Sequence, residues 1–303
     1  MHGTQSPFQQ AASFFPPRLR KLLLEADKTM QDTAEEIRLR AGKGLSVLEA
    51  SGQERFLTGQ VSKQELYGVV EIATCASFHR AMEKLRRGYL PLSGGHRLGV
   101  AGSTVTREGR IHHIQELSSL SLRIARPMTG VAEPVAQRLS RKDYAPSGGC
   151  LILAPPGQGK TTLLRDLIRI YSDDWHLRVG IADERGEITA LREGVPQFPV
   201  GTTVDVIAGC TKAEAGLLLL RSMNPQVIAM DEITDPEDVE ALLAISHCGT
   251  GLLATAHGTD LKALTHRPLY RPLLEQNCFQ AVITIQRTDG IRTYLVESIP
   301  CST

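Results

Sequence analysis

The sequence predicts an α/β protein in two parts. A smaller N-terminal α+β domain covers residues 1–126, a linker region covers 127–145, and a C-terminal parallel-sheet domain covers 146–303. Three observations carry this. The second half repeats short apolar runs, "CLILA", "RVGIAD", "VIAMD" and "GLLATAH", separated by helical patterns, which argues for a parallel sheet covered on both faces. The first half instead alternates apolar and polar residues between glycine turns, as half-buried antiparallel strands do. Between them "RPMTGVAEPVAQRL" breaks both patterns with Pro127, Gly130 and Pro134.

Length and composition agree. The chain has 303 residues, enough for two domains of about 100–200 residues each. Hydrophobic residues make up 42%, and the formal net charge is +1, so no global pull toward nucleic acid or acidic lipid is indicated. The six cysteines are scattered singly, with no C-x-x-C pair, and read as reduced thiols of a cytosolic protein. The first residues lack a basic start followed by a long apolar core and are interrupted by Pro16 and Pro17, so they do not read as a signal peptide. No run of about 18 apolar residues predicts a membrane span.

Taken in order, "RLRKLLLEA" predicts a short amphipathic helix, and "EEIRLRAG" and "LSVLEA" predict two strands separated by Gly42 and Gly44. Ser62 followed by Glu65 predicts a capping box, opening a helix that stops at Gly88. The stretch from Gly94 to Arg126, rich in β-branched residues and glycine, predicts an antiparallel meander. Near the C-terminus, Asp289-Gly290 between two alternating runs predicts a hairpin.

The chemistry begins at "LILAPPGQGKTTLLRDLIRI", residues 151–170. A buried strand, a glycine-rich loop and a helix are the context in which G-x-x-x-x-G-K-[ST] holds a phosphate. Gly157 and Gly159 let the backbone turn so that amides face phosphate oxygens, and the helix adds its positive end. Pro156, Gly157, Gln158, Gly159, Lys160, Thr161 and Thr162 would line the nucleotide, with Lys160 on the β and γ phosphates and the Thr161 hydroxyl on Mg2+. The first glycine of the motif is replaced by Ala154, at the strand end, where no phosphate-contacting amide is lost.

Such a loop needs acids at neighbouring strand ends. "VIAMDE" supplies Asp231, to hold the Mg2+ shell, and Glu232, to polarise the attacking water. "RVGIADERGEI" supplies Asp183 and Glu184, with Arg185 and Glu187 nearby, either as metal-shell and base residues or as a surface salt-bridge cluster. His257 closes a third run, as a γ-phosphate sensor or as a structural histidine. Strand ends in a parallel sheet gather at one crevice, so all three sets face a common site. Glu232 and Glu184 both remain candidates for the base.

Residues 151–260 resemble the type II/type IV secretion and pilus-motor ATPase superfamily, within the additional-strand, RecA-like P-loop class. Its Walker A loop, acidic box, Walker B strand and histidine box fall here on Gly157–Thr162, Asp183–Glu187, Asp231–Glu232 and His257. Asp231 stands where that superfamily has a glycine and Thr234 where it has an arginine. These departures, with "EEIRLRAGKGLSVL" and "SLSLRIARPMTGVAEP" in the first half, favour a closer match, the family of stage III sporulation AA proteins of spore-forming Firmicutes. The resemblance implies a cytosolic enzyme using ATP and Mg2+, assembled as a homo-oligomer, a hexameric ring. It would dock at the membrane through a secretion-like complex between mother cell and forespore, and energise assembly of, or transport through, that channel.

Arginines from one subunit can complete such a site in the next, worth about 10³–10⁵ in rate. Arg123 and Arg126 occupy the matching place before the junction, Arg97 is a further candidate, and Arg221 would act within its own subunit. Two other readings remain open. One is a nucleic-acid motor, against which stand the near-zero charge and a 5% aromatic content. The other is a nucleotide-dependent scaffold without turnover, toward which only Ala154 leans.

Overall fold

The computed structural model describes residues 5–74, 89–107, 110–141, 148–288 and 291–299. The chain divides into two compact units, Met1–Arg126 and Pro127–Thr303.

The first unit opens with helices α1 (Pro7–Ala12), α2 (Pro17–Leu24) and α3 (Lys28–Thr33). Strands β1 (Ala34–Arg40), β2 (Gly44–Glu49) and β3 (Glu54–Gln60) follow, then helix α4 (Lys63–Thr74) and strands β4 (Tyr89–Pro91), β5 (Arg97–Arg107) and β6 (Arg110–Arg123). They form a six-stranded sheet in the order β3-β2-β1-β6-β5-β4, antiparallel at every pairing. Alternation decides the buried face of β1: Ile37 and Leu39 are fully buried while Arg38 and Arg40 are not. Leu19 and Leu23, four apart on α2, close over the core with Phe8, Phe15 and Leu66. The Ser62 amide donates to Glu65 Oε2 at 2.9 Å and the Glu65 amide to Ser62 Oγ at 3.2 Å, which caps α4. Arg18 on α2 is tied to Glu65 at 2.7 Å, so one charge of that basic helix joins it to α4. The end of the helix expected to reach Gly88 lies outside the described residues.

The second unit begins with α5 (Glu133–Arg141). It continues as β7 (Cys150–Ala154), α6 (Lys160–Asp173), β8 (Val179–Asp183), β9 (Val204–Ala208), α7 (Lys212–Ser222) and β10 (Val227–Met230). Helix α8 (Pro236–His247), β11 (Gly251–His257), the short helices α9 (Leu261–Thr265) and α10 (Arg271–Glu275), β12 (Ala281–Thr288) and β13 (Ile291–Ser298) complete it. The seven strands run β13-β12-β7-β11-β10-β8-β9, all parallel except β13.

Successive residues of the central strands go to opposite faces. Ile152, Ile181, Ala229 and Leu253 pack under α6, against Leu163, Leu164, Leu167 and Ile168. Leu151, Leu153, Ile228, Met230 and Leu252 pack under α7 and α8, against Leu219, Val239 and Leu242. Burial on both faces is why these strands read as continuous apolar runs. Strand β9 has no such run: it is an edge strand, half-buried along most of its length, with Asp205 as its second residue.

Within 127–145, the described residues up to Arg141 hold a helix and core positions. Ala132, Val135, Ala136 and Leu139 belong to the core under α6, and the Ala132 amide donates to the buried Asp166 Oδ2 at 2.8 Å. Pro134 sits near the start of α5, where a missing amide costs little. β12 and β13 pair antiparallel from Ala281–Ser298 to Thr288–Ile291, and the Asp289-Gly290 turn itself lies outside the described residues. Among the described residues no helix is long and apolar enough to cross a membrane.

Candidate functional site

The ends of β7, β8, β10 and β11 meet at one edge of the sheet, because their parallel registers are in step: Met230 lies beside Ala182 and Ala254, and His257 beside Ala154. Ala154 is fully buried in strand conformation, and its carbonyl accepts from Lys160 Nζ at 3.2 Å. Its φ is not positive, so nothing in the backbone there calls for a glycine. The positive φ values come later in the loop, 73° at Gly157 and 94° at Gly159, where a side chain would be strained. Gly157 and Pro156 are exposed at the crest of the loop, and Gln158 and Thr162 are half-buried. Gly159 is the N-cap of α6 and has no side chain to satisfy the first-turn amides, which leaves the positive helix end open to an anion.

Lys160 is only 7% exposed. Its ammonium donates to the carbonyls of Ala154 and Pro155 at 3.2 and 3.3 Å and to His257 Nδ1 at 2.9 Å. Burial pulls its pKa below the ordinary lysine value, while the charges of Glu232 and Asp231 act in the opposite direction. A lysine ammonium has no lone pair, so Nδ1 accepts and the proton of the neutral ring sits on Nε2. That Nε2 faces Glu232 Oε1 in a short contact. Lysine, histidine and glutamate thus form one chain of contacts.

Asp231 is held from three directions. Its Oδ2 accepts from Thr161 Oγ1 at 3.0 Å, and its Oδ1 from Thr255 Oγ1 at 2.8 Å and from the Glu232 amide at 3.0 Å. This joins the first turn of α6 to the ends of β10 and β11. Glu232 is a third exposed and lines a cavity with Glu184, Arg185, Glu187 and Lys212.

Other expected residues take different places. Asp183 was read as a metal-shell ligand. Its carboxylate is instead buried and consumed locally, accepting from the Ile188 amide at 3.1 Å, the Thr189 amide at 2.8 Å and Thr189 Oγ1 at 2.6 Å. It pins the loop that displays Glu184, Arg185 and Glu187. Glu184 is ion-paired with Lys212 at 3.3 Å. Arg221 was expected to act on its own subunit's nucleotide. It lies in the last turn of α7, about 13 Å along the axis from Lys212 at the site edge, and donates to Leu217 O. The helix carries it away from the strand ends. Arg126 donates to Gln31 O at 2.8 Å and Ala34 O at 3.1 Å, stitching the end of the first unit to its own α3–β1 junction. Arg123 is largely exposed, with one 3.4 Å contact to Glu36, and Arg97 stacks on Tyr89 at 4.7 Å.

Two residues at this edge had no part in the sequence reading. Lys212, 7% exposed, bridges Glu184 and Asp238, the latter at 3.2 Å. Its signal was a lysine directly after Thr211, an N-cap position where a positive charge opposes the helix dipole and calls for a carboxylate. Arg292 lies against Gly159, brought there from the C-terminal hairpin.

Comparison with known proteins decides the family. The profile described as "Sporulation stage III, protein AA" matches residues 7–294. The chain belongs to that family. Stage III sporulation protein AA of Bacillus subtilis (strain 168) is 33% identical over 285 residues, 93% of this chain and 92% of that protein. Among solved structures, the family's fold is shared by the Legionella pneumophila ATPase DotB, at a TM-score of 0.58 with 18% identity over 93% of this chain and 80% of that one. The pilus retraction motor PilT, solved with bound ADP, also has a TM-score of 0.58, with 19% identity over 89% of this chain and 80% of that one. This chain therefore shares the fold of those two ATPases.

Proposed function

We propose that this chain hydrolyses ATP and works as the motor of a sporulation secretion-like complex. The observation that carries the reading is the convergence of Lys160, Thr161, Asp231, Glu232 and His257 at one sheet edge, on a loop whose two left-handed glycines leave its crest open. The placement of β11 between β7 and β10 agrees with an additional-strand P-loop domain.

The residues fit a nucleotide phosphate. The first-turn amides of α6 and the Lys160 ammonium offer donors, and nothing lies within 4 Å of a Cβ built on Gly157. They also fit Mg2+, which takes oxygen ligands and is commonly shared between one carboxylate, a hydroxyl and substrate phosphates. Thr161 Oγ1 and Asp231 Oδ2 would hold it, and when bound it neutralises charge on the phosphate oxygens.

In the proposed reaction a water attacks the γ phosphorus in line with the bridging oxygen to the β phosphate. Glu232 takes the water's proton as the new P–O bond forms, and the bridging bond breaks to release ADP. Glu232 is favoured over Glu184 because Glu184 is ion-paired with Lys212, whereas Glu232 contacts the His257 imidazole. In the resting chain Lys160 and Glu232 are both engaged through His257, so an incoming γ phosphate that draws Lys160 away also frees the base. That makes His257 a sensor of the γ phosphate, coupling occupancy to the base.

The family's secretion-type fold supports a homo-oligomeric ring, proposed as a hexamer, at the cytoplasmic side of the membrane and held there by partner proteins. Arg123, exposed at the end of the first unit, is the arginine we assign to a neighbouring subunit's site. The test is steady-state phosphate release by the purified full chain, with Lys160→Ala and Glu232→Gln beside it. Turnover unchanged in both variants would sink the reading. Turnover that appears only with single-stranded nucleic acid would move it to a nucleic-acid motor.

A further inference from the structure

The C-terminal hairpin brings a charged side chain to the loop that no part of the proposed reaction uses. β12 runs parallel to β7, with Ala281 beside Cys150 and Thr284 beside Leu153. β7 stops one residue later, at Ala154, while β12 runs on to Thr288, roughly 10 Å past that end at strand rise. β13 returns with Arg292 opposite Arg287. The register therefore carries the last residues of β12 and the first of β13 past the edge where the loop 155–159 turns.

The contact is close. A Cβ built on Gly159 would meet Arg292 Nη1 at 3.0 Å and Cζ at 3.1 Å. The guanidinium thus lies against the N-cap of α6, whose first-turn amides face outward. None of the ion pairs among the described residues involves Arg292. Arg287 stands across the hairpin from it, and it lies at the positive end of a 14-residue helix. An anion at this N-cap would meet both the guanidinium and the positive helix end.

We infer that Arg292 is a nucleotide-binding residue supplied by the chain's own hairpin, and that it closes on the diphosphate of a nucleoside di- or triphosphate held by the loop. This rests on the proposed reading of the loop as a phosphate cradle. Arg292 meets the loop at Gly159 rather than at the Glu232 and His257 side, so it contacts phosphates common to ADP and ATP. The planar fork suits two phosphate oxygens at once, which a lysine cannot match. It also gives a second reason for glycine at 159, because any side chain there would displace the guanidinium.

The experiment is titration of the full chain with ADP by calorimetry, for the wild type, Arg292→Ala, Arg292→Lys and Lys160→Ala, with thermal unfolding of each. Losing one charge-assisted contact should weaken ADP by about ten- to a hundredfold in Arg292→Ala. Arg292→Lys should recover part of it, and KM for ATP should rise by the same factor as Kd for ADP, with kcat changing far less. ADP binding in Arg292→Ala equal to wild type overturns the inference while the loop reading stands. So does a fall in kcat with ADP affinity intact, which would place the arginine on the transition state instead. If wild type binds no ADP, or Lys160→Ala binds it as well as wild type, the loop reading itself falls. Should Arg292→Ala unfold, Arg292→Lys decides alone, since it keeps charge and loses the fork: affinity equal to wild type overturns the inference.

Discussion

Asp183→Ala separates two roles that one carboxylate could have. In the structure Asp183 is 2% exposed and accepts three hydrogen bonds, from the Ile188 amide, the Thr189 amide and the Thr189 hydroxyl. Alanine leaves all three donors facing an apolar gap. A buried unsatisfied donor costs about 1–3 kcal/mol, but the loop can relax and the hydroxyl can rotate, so about 3 kcal/mol in total is the expected loss. For a unit of this size that corresponds to a melting temperature lower by about 6–12 °C. Asp183→Asn keeps one acceptor and turns an amide group toward the Ile188 amide, so about half the loss is expected. The assay is thermal unfolding by circular dichroism without nucleotide and without magnesium, conditions under which a pure metal ligand would be silent. A melting temperature for Asp183→Ala within about 2 °C of wild type would refute the positioning role and return Asp183 to the metal shell.

Three further outcomes are expected. Glu232→Gln should lower turnover by about 10²–10⁴-fold while nucleotide affinity stays near wild type, measured by phosphate release and calorimetry; a parallel loss of affinity would deny it the base role. Lys212→Ala should leave Asp238, itself 4% exposed, without its cation and cost about 3–5 kcal/mol, read as a lower urea midpoint at unchanged slope; a midpoint equal to wild type would count against the Glu184–Lys212–Asp238 bridge. His96 in the first unit is fully buried, accepts from the Ala125 amide at 3.0 Å, and is held down to about 4 by burial and then by the charge of Arg126. The folded value lies below the usual 6.5, so the unfolded chain takes the proton first, and stability is lost as pH falls from about 6.5 to about 4, by about 3 kcal/mol, with no further loss from this group below that. His96→Asn should flatten that part of the pH profile, and an unaltered slope between pH 7 and 4 would show that other groups set it.

What was legible in the sequence was what neighbours along the chain determine. The strands β7, β8, β10 and β11 read as apolar runs because both their faces are covered, and parallel pairing then sends Lys160, Asp231, Glu232 and His257 to one edge without further information. β9 did not read as a strand, because an edge strand buries only part of itself and carries Asp205. The arginines and lysines show the same boundary more sharply. Arg126, Arg221, Lys212 and Arg292 are all basic residues beside a motif, and sequence alone cannot rank them. Their roles come from contacts with distant segments: Arg126 with residues 92–95 positions earlier, Lys212 with Glu184 and Asp238, Arg292 with Gly159 across the sheet. Helix rise sets Arg221 back from the strand ends and hairpin register brings Arg292 toward the loop, and both are lengths rather than residue types. A long, flexible cation satisfies many settings equally well, so its chemistry identifies no partner until the fold supplies one.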